Sequence, residues 1–350
     1  MAVAQRAVFV GADQTPCMKF ETVRVPPLRP GDTLVRIQMA TICGSDMHTI
    51  EGRRKENTPS ILGHEAVGVV VEHRREDVDL KPGDRVTFSI MNSCMMCDIC
   101  KGGIPQKCRK LFKVGHGFRP LTDECPLNGC YASHIIIESG TAIVKVPDNV
   151  TDKMAVPVNC ALGTMVNARD CMEDWNGTTA LIQGAGMLGL YGCALLNEAG
   201  CAKVYCTDIN KDRLARARNF GAIPYDKGSP DVPKSSEFDV VIEVCGAASV
   251  VNDGIDLLKI GGTYIFVGMV HPQSQLDITG NQIIRKCLTI KGLHNYAPWH
   301  LERAVQFISD TAQKYPYETL VSDPYPLQNI DGAVKESATQ KYCRVAVAAK

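Results

Sequence analysis

The amino-acid sequence predicts an α/β protein in which an all-β domain precedes a doubly wound parallel sheet. With 350 residues, the chain is too long for one ordinary hydrophobic core and long enough for two. Its first part consists of short β-like segments separated by glycine and proline, whereas strands and helices alternate after Pro157. Such alternation is typical of parallel strands joined by crossover helices.

Five strand candidates and one loop-rich insertion make up the first domain, which we expect to span residues 1–155. Each candidate is a short β-like run bounded by turn residues. The insertion covers residues 91–112. The predicted strands cover residues 6–10, 33–39, 67–72, 85–90 and 131–137.

The second domain is expected to span residues 156–295 and to contain six parallel strands. Residues 296–350 could not form a core alone, so we expect their helix (301–312) and strand (342–347) to pack back onto the first domain. Five of the six strands have assigned ranges, at residues 179–183, 203–207, 238–244, 263–267 and 288–290, and helices are predicted at 187–199 and 211–220.

Composition disfavours several classes of function. Basic and acidic residues number 38 each, so no excess charge favours nucleic acid or an anionic membrane as the partner. The sequence contains no secretion signal and no uncharged apolar run of about 18 residues, so we expect a cytoplasmic protein. Many of the 16 cysteines lie singly in apolar stretches, as at Cys193, Cys206 and Cys245, which indicates reduced core residues.

Four closely spaced cysteines form the most specific motif. Cys94, Cys97, Cys100 and Cys108 follow the pattern Cys-x2-Cys-x2-Cys-x7-Cys. Short loops between thiols suit a tetrahedral metal, and four thiolates leave no open coordination position, so we predict one structural zinc ion. Disulfides are disfavoured by the absence of an export signal. An iron–sulfur cluster is disfavoured by the seven-residue gap and by the absence of proline after Cys108.

A glycine-rich segment, residues 184–189, follows the first strand of the second domain and opens a helix. Its GxGxxG pattern permits a tight turn, close approach of a pyrophosphate and close helix packing. We therefore predict a Rossmann domain that binds NAD, because the acidic side chain of Asp208 accepts hydrogen bonds from the ribose and repels a 2′-phosphate. Lys211 and Arg213 nearby weaken the preference for NAD slightly. The alternative is that the glycines are ordinary turn residues and Asp208 a helix cap. The cofactor-binding candidates are Gly184, Gly186, Met187, Leu188, Gly189, Asp208 and Arg213.

Further metal-ligand residues lie at separate places in the chain, and their spacing alone does not bring them together. Taken with the motifs above, the chain resembles the zinc-dependent alcohol dehydrogenases of the medium-chain dehydrogenase/reductase superfamily along essentially its whole length. The resemblance implies a GroES-like first domain and a catalytic zinc ion held by Cys43, His64 and Cys160, with Glu65 adjacent. Asp46 would orient His64.

The resemblance also implies a route for the proton and the hydride. Zinc with two thiolates and one neutral imidazole is a Lewis acid that lowers the pKa of an alcohol hydroxyl. Ser45 is expected to take the proton and His48 to release it, while NAD accepts the hydride in a water-poor cleft between the domains. Gly44 stands where liver-type enzymes carry an arginine, so we expect Arg344 to help hold the pyrophosphate.

Four local stretches resemble a subgroup of bacterial alcohol dehydrogenases associated with phosphonate catabolism. They are residues 51–54, 103–108, 114–117 and 157–161. Arg53 and Arg54 would offer charge-assisted donors to a phosphonate, although a solvated charge pair is the simpler interpretation. His116 is a weaker candidate for the lining of the substrate pocket.

We therefore predict an NAD-dependent alcohol dehydrogenase with two zinc ions per subunit. The resemblance implies a homodimer or homotetramer paired through the last Rossmann strand. Polyol, threonine and formaldehyde dehydrogenases are alternatives on the same scaffold, and Cys160 in place of a glutamate disfavours the polyol enzymes. A non-catalytic NAD- and zinc-binding redox sensor would not need Ser45 and His48. A zinc-ribbon nucleic-acid binder would need a broader basic face than residues 101–113 provide.

Overall fold

The computed structural model describes the chain except residues 1, 116, 117, 123, 227, 230, 231, 234, 271–273 and 350, so His116 lies outside the described residues. The chain forms two compact units. The first contains Met1–Cys160 and Ala297–Lys350, and the second contains Ala161–Tyr296. The sequence analysis placed the corresponding boundaries after residues 155 and 295.

The described residues form strands and helices throughout both units. The strands, in chain order, are β1 (Val3–Phe9), β2 (Met18–Arg24), β3 (Thr33–Ile42), β4 (Ser60–Ile61), β5 (Glu65–His73), β6 (Arg85–Asn92), β7 (His134–Ile137), β8 (Thr141–Lys145), β9 (Thr179–Gln183), β10 (Lys203–Thr207), β11 (Ile223–Pro224), β12 (Phe238–Glu243), β13 (Leu258–Phe266), β14 (Thr289–Gly292), β15 (Tyr325–Pro326) and β16 (Val345–Ala348). The α-helices are α1 (Gly44–Ile50), α2 (Asp98–Lys101), α3 (Asp152–Ala155), α4 (Gly163–Arg169), α5 (Met187–Glu198), α6 (Lys211–Ala217), α7 (Ser249–Leu257), α8 (Gly280–Arg285), α9 (Pro298–Asp310) and α10 (Ile330–Thr339).

Two sheets build the first unit. The smaller has the order β2-β1-β4, and the larger has the order β15-β16-β3-β5-β6-β8 with β7 paired to β3. The antiparallel ladder between β3 and β5 places Thr41 opposite Glu65, and on the other side of β3 the strand β16 places Val345 opposite Ile42. Three strand ends that are distant in sequence therefore meet at one edge of this sheet.

The second unit contains a parallel sheet of the order β11-β10-β9-β12-β13-β14. The predicted fold class is confirmed, and β9 and β10 have the predicted bounds. The sixth strand is the two-residue β11, for which no separate segment was predicted. Strand β13 begins at Leu258, before the predicted start, where its pairing with β12 passes an irregularity between Phe238 and Val240.

Each unit has its own hydrophobic core. In the first unit, Val35 and Ile37 of β3 pack with Phe88 of β6 in a cluster of buried aliphatic and aromatic side chains. In the second, Tyr205 and Phe238 pack edge to face, with their ring centroids 5.4 Å apart. Within the described parts of the chain, no helix is both long and apolar enough to cross a membrane.

Candidate zinc centres and dinucleotide loop

The four cysteines of the 91–112 lobe converge on one point. The Sγ–Sγ distances are 3.4 Å for Cys97–Cys100 and for Cys94–Cys108, and 4.0 Å for Cys97–Cys108. Four thiolates around one ion, with metal–sulfur bonds of about 2.3 Å, lie about 3.8 Å apart. A disulfide requires about 2.05 Å, and all 16 cysteines are free. The distances fit the donor set of a structural zinc ion.

Backbone N–H groups of the lobe favour thiolates. The N–H groups of Arg109 and Cys100 lower the pKa of Cys97 to about 6. Burial raises the pKa of Cys100 to about 12. A bound cation would lower the pKa of the remaining thiols. All four cysteines, which short loops hold together, would then bind it as thiolates.

A second group of metal-ligand atoms lies where β3 ends and β5 begins. One ligand atom from each of Cys43, His64, Glu65 and Cys160 lies within 4.8 Å of the others. The first three residues are buried and Cys160 is partly buried. Two thiols and an imidazole are donors that suit zinc in catalytic sites. The structure thus brings together the three predicted ligands of a catalytic metal and the predicted adjacent carboxylate.

Asp46 on α1 orients this group. Its carboxylate accepts the backbone N–H groups of Cys43 at 3.0 Å and Gly63 at 3.3 Å, and lies 3.3 Å from His64 Nδ1. Because Nδ1 faces Asp46, Nε2 is the ring nitrogen that remains for a metal. His64 Nε2 lies 3.5 Å from Ser45 Oγ, so Ser45 borders the ligand atoms.

Cys160 is positioned by its neighbour Asn159, which the sequence analysis missed. Both lie in the π-helical turn Val158–Leu162, a local form that is frequent at functional sites. The buried amide Nδ2 of Asn159 donates to the carbonyl oxygens of His64 at 3.0 Å and Phe88 at 2.8 Å. The bond to His64 ties the turn that carries the ligand Cys160 to the backbone of the ligand His64. In the sequence, the only signal for Asn159 was its position next to Cys160.

Arg344 and Thr41 hold the carboxylate of Glu65 by hydrogen bonds. The Arg344 guanidinium donates to both carboxylate oxygens of Glu65, at 2.7 and 2.8 Å, and to Cys43 Sγ at 3.3 Å. Thr41 Oγ1 donates to Glu65 Oε2 at 2.6 Å. The structure places the Arg344 side chain in the metal-ligand group, and its contact with a pyrophosphate stays a prediction. The cause of this placement is the sheet register described above, which brings the residue before β16 to the end of β3.

The charges of the second group determine how many protons a metal must displace. Burial lowers the pKa of His64, but Asp46 and Cys43 outweigh it and raise the value to about 10. The hydrogen bond with Cys160 lowers the pKa of Cys43 well below its usual value, and the same contact raises that of Cys160. These shifts favour a thiolate on Cys43 and protons on His64 and Cys160 in the metal-free group.

We expect zinc binding to this group to release about two protons near pH 7, since zinc binds neutral imidazole and thiolate. The apparent zinc affinity should then rise about 100-fold between pH 7 and pH 8. Isothermal titration calorimetry with zinc, in buffers of different ionisation enthalpy, measures the number of protons released. The protein used already holds zinc in the four-cysteine lobe. A pH-independent affinity in that range would contradict the assigned charges.

The segment 184–189 joins β9 to α5 in the second unit. Gly184 has a φ of +120°, and a Cβ added to Gly189 would lie 1.8 Å from the carbonyl oxygen of Gly184. The turn therefore excludes a side chain at Gly189. Gly186 is the N-cap of α5, and its added Cβ would meet no described atom within 4 Å. The loop is open at the helix N-terminus, where Met187 and Leu188 begin the helix and a pyrophosphate could bind.

Asp208 follows β10 and faces this loop. Its Oδ2 accepts the N–H group of Ala185 at 2.7 Å, and its Oδ1 accepts that of Asn210 at 2.8 Å. Asn210 caps α6 and accepts the backbone N–H group of Arg213. The carboxylate thus lies at the end of the second strand of the parallel sheet, beside the glycine-rich loop.

Comparisons with known proteins match both parts of the chain. The model of the alcohol dehydrogenase GroES-like domain matches residues 29–148, and that of the zinc-binding dehydrogenases matches residues 188–310. The L-threonine 3-dehydrogenase of Legionella pneumophila (strain Corby) is 30% identical over 299 residues, which cover 81% of this chain and 83% of the relative. That of Escherichia coli (strain K12) is 31% identical over 287 residues, covering 78% and 79%.

Solved structures share the whole fold. An alcohol dehydrogenase from Thermotoga maritima has a TM-score of 0.92 and 26% identity, with 100% of both chains covered. The alcohol dehydrogenase of Thermus sp. ATN1 has a TM-score of 0.86 and 23% identity, with 99% of this chain and 100% of the other covered. The comparisons do not distinguish the phosphonate-associated subgroup. They confirm that the chain belongs to the zinc-dependent alcohol dehydrogenases of the medium-chain dehydrogenase/reductase superfamily, which use zinc and NAD to oxidise alcohols.

Proposed function

We propose that this chain oxidises its alcohol at a zinc ion held by Cys43, His64 and Cys160, and that Ser45 and His48 remove the alcohol's proton. The observation that carries this proposal is the convergence of the three ligands within 4.8 Å of one another, beside Ser45 Oγ. Zinc at this position would act as a Lewis acid that lowers the pKa of the alcohol hydroxyl.

The two relay residues lie on α1, three positions apart, so their side chains share one face of the helix. Ser45 borders the ligand atoms and can accept the hydroxyl proton. His48 is partly exposed, and an imidazole there can pass a proton to solvent near neutral pH. Asp46, between them in sequence, lies 3.3 Å from Nδ1 of His64, so that Nε2 is the ring nitrogen on the side of Ser45.

We further propose that the substrate carries an anionic group, with 2-hydroxyethylphosphonate as its representative. Arg54 supports this proposal because its backbone N–H donates to the His48 carbonyl oxygen at 3.0 Å, which fixes it next to the relay helix. Its side chain is 31% exposed and pairs with Glu56. Arg53 is 56% exposed and pairs with Glu51, so the interpretation as a solvated pair fits Arg53 instead.

An alcohol panel with NAD tests both the activity and the substrate class. We expect wild-type protein to oxidise 2-hydroxyethylphosphonate with a higher kcat/KM than propan-1-ol, as measured by NADH absorbance. Replacing Arg54 by alanine should reduce this preference about tenfold, the effect of one charge-assisted hydrogen bond. Replacing Arg53 is the matched control and should change it less than twofold. Equal preference in wild type and Arg54→Ala would exclude the role of Arg54.

L-Threonine is the second candidate substrate, because curated relatives at 30% and 31% identity are L-threonine 3-dehydrogenases. It carries an ammonium group as well as a carboxylate, so a cationic pocket would bind it less well than a purely anionic alcohol. Turnover of L-threonine above all other members of the panel would replace the phosphonate proposal.

The cofactor assignment predicts the effect of removing Asp208. We expect Asp208→Ala to raise the ratio of kcat/KM for NADP to that for NAD by about tenfold or more, because the carboxylate no longer repels a 2′-phosphate. Asp212, in the first turn of α6, supplies the matched control for loss of one negative charge nearby. An unchanged ratio in Asp208→Ala would remove this residue from the cofactor site.

We also propose a cytosolic homo-oligomer. The free thiols of all 16 cysteines support a reducing compartment. Strand β14 is the edge of the six-stranded sheet, and Ile284 and Ile290 nearby are 75% and 37% exposed. An open strand edge with exposed apolar residues favours pairing between copies of the chain. Analytical ultracentrifugation distinguishes the dimer from the tetramer.

A further inference from the structure

We propose that Glu243 is a cofactor-positioning residue: its buried carboxylate joins the loops that follow β12 and β13 into one platform for the nicotinamide half of NAD, and its negative charge favours the oxidised form, NAD+, over NADH. The inference rests on the proposed cofactor site, which consists of residues 184–189 and Asp208. It adds a residue that neither the sequence motifs nor the comparisons assigned.

The order of the strands in the second unit sets the direction in which a dinucleotide would lie. In the order β11-β10-β9-β12-β13-β14, the strand sequence reverses between β9 and β12. Dinucleotides bind across such a reversal, at the carboxyl ends of the strands. Asp208 follows β10, and residues 184–189 follow β9. With the adenosine ribose and the pyrophosphate at these two places, the nicotinamide half extends over the carboxyl ends of β12 and β13.

Glu243 is the last residue of β12, and its side chain is fully buried. Its Oε1 accepts the backbone N–H group of Gly246, in the loop after β12. Its Oε2 accepts that of Gly268, in the loop after β13, at 3.0 Å. The Glu243 carbonyl oxygen also accepts the N–H group of Val267 at 2.9 Å. One residue therefore joins the two loops over which the nicotinamide half would lie.

The two loops and the carboxylate pack with no room for another carbon atom. Gly246 has a φ of +74°, and a Cβ added to it would lie 2.9 Å from the Gly268 carbonyl oxygen. A Cβ added to Gly268 would lie 2.6 Å from Glu243 Oε1 and from the Gly246 nitrogen. A displaced carboxylate would therefore displace both loops.

The loop after β12 also borders the glycine-rich loop. A Cβ added to Gly184 would lie 3.1 Å from Cys245 Cβ and 3.3 Å from the Cys245 nitrogen. The Val244 N–H group donates to the Gln183 carbonyl oxygen at 3.0 Å, so the ends of β9 and β12 are held side by side. The segment that Glu243 positions is thus in contact with the segment proposed to bind the pyrophosphate.

The charge of Glu243 distinguishes the two oxidation states of the cofactor. The hydrogen-bond donors that the structure gives its carboxylate are backbone N–H groups, which are dipoles and leave its net negative charge in place. The nicotinamide ring carries a positive charge in NAD+ and none in NADH. Because the buried charge acts across protein rather than water, it attracts the cationic ring with little screening. The platform therefore favours the cofactor that accepts hydride.

Glu243→Gln tests the charge, because glutamine keeps the size of the side chain and one acceptor oxygen. Asp239→Asn is the matched control: Asp239 lies near the opposite end of β12 and accepts the Thr179 N–H group at 2.8 Å. Gly268→Ala tests the platform and leaves the carboxylate in the protein. For each zinc-loaded protein, NADH binding is measured by NADH fluorescence, and binding of NAD+ and ADP-ribose by competition with NADH. ADP-ribose lacks the nicotinamide ring.

We expect Glu243→Gln to raise the ratio of the Kd for NAD+ to the Kd for NADH about tenfold, and to change the Kd for ADP-ribose less than twofold. Asp239→Asn should change neither by more than twofold. Gly268→Ala should raise the Kd for NAD+ and the Kd for NADH together by about tenfold, because the displaced loops lose their preorganised position. Its Kd for ADP-ribose should equal that of the wild type.

An unchanged ratio in Glu243→Gln would refute the role of the charge. Equal weakening of NADH and ADP-ribose binding would refute the platform, since a general loss of structure acts on both ligands. If Glu243→Gln does not fold, Gly268→Ala still decides, because unaltered NADH binding in that variant would overturn the inference.

Asp208→Ala separates this inference from the cofactor site on which it rests. ADP-ribose binding as tight as in the wild type would refute the proposed cofactor site. Weaker ADP-ribose binding in Asp208→Ala, together with an unchanged ratio in Glu243→Gln, would refute the role of Glu243 alone.

Discussion

Replacing Cys160 by alanine is expected to lower kcat/KM for alcohol oxidation at least about 1000-fold while the protein keeps its fold and one zinc ion per subunit. The variant removes one of three metal ligands. Glu65 is close enough to take its place, but its carboxylate already accepts three hydrogen bonds from Arg344 and Thr41. A substitute ligand would have to give up those bonds, so we expect the second zinc ion to be lost or loosely held.

Metal analysis by mass spectrometry and NADH absorbance measure the two parts of this prediction. Cys171→Ala is the matched control, because Cys171 is also a free, partly buried cysteine but lies in the second unit. We expect it to retain two zinc ions and full activity. Loss of both zinc ions from Cys160→Ala, with unfolding, would contradict separate roles for the lobe and the catalytic group.

Replacing Arg344 by methionine is expected to destabilise the first unit by about 3–5 kcal/mol, since it leaves the buried carboxylate of Glu65 without its counter-charge. Arg344 and Glu65 side chains are 7% and 0% exposed, so solvent screens their interaction little. Arg74→Met is the control. The pair Arg74–Glu72 has a similar length of 2.8 Å but is 60% and 52% exposed, and its loss should cost less than about 1 kcal/mol.

The loss of stability in Arg344→Met should depend on pH in a defined direction. Burial raises the pKa of Glu65, and Arg344 is the strongest influence that opposes this rise. Without Arg344, the folded-state pKa rises further above the unfolded value of 4.5, so stability is lost as pH increases. Urea denaturation should therefore reveal a larger deficit at pH 8 than at pH 5, and Glu65→Gln should rescue part of it. A deficit equal to that of Arg74→Met at both pH values would refute the prediction.

Features with local causes could be predicted from the sequence. The four cysteines of the lobe are joined by short loops, so their spacing alone indicated one metal. The strands β9 and β10 were predicted with their bounds, because each is a short apolar run that ends at a glycine loop or an acidic residue. Strand β11 has two residues, one of them Pro224, and carries too little pattern to be recognised.

The surroundings of the catalytic group depend on pairing between distant segments, which no local pattern specifies. Thr41 meets Glu65 only because of the register of β3 and β5, and Arg344 joins them only because β16 pairs with β3. The family resemblance placed the ligands together and gave Arg344 a contact with the cofactor, but it gave no contact between Arg344 and Glu65. Asn159 likewise gained its candidate role from hydrogen bonds to distant backbone carbonyl groups that the sequence does not display.

Cys43 and Arg344 are in contact but lie 301 residues apart in the sequence, which has a consequence for biosynthesis. On a translating ribosome, Cys43, His64, Glu65 and Cys160 emerge well before the arginine that neutralises Glu65. A nascent chain could therefore capture an ion through its early ligands, yet the charge of Glu65 stays uncompensated until the segment with Arg344 has left the exit tunnel. A ribosome stalled before that segment would carry a catalytic group that lacks its counter-ion.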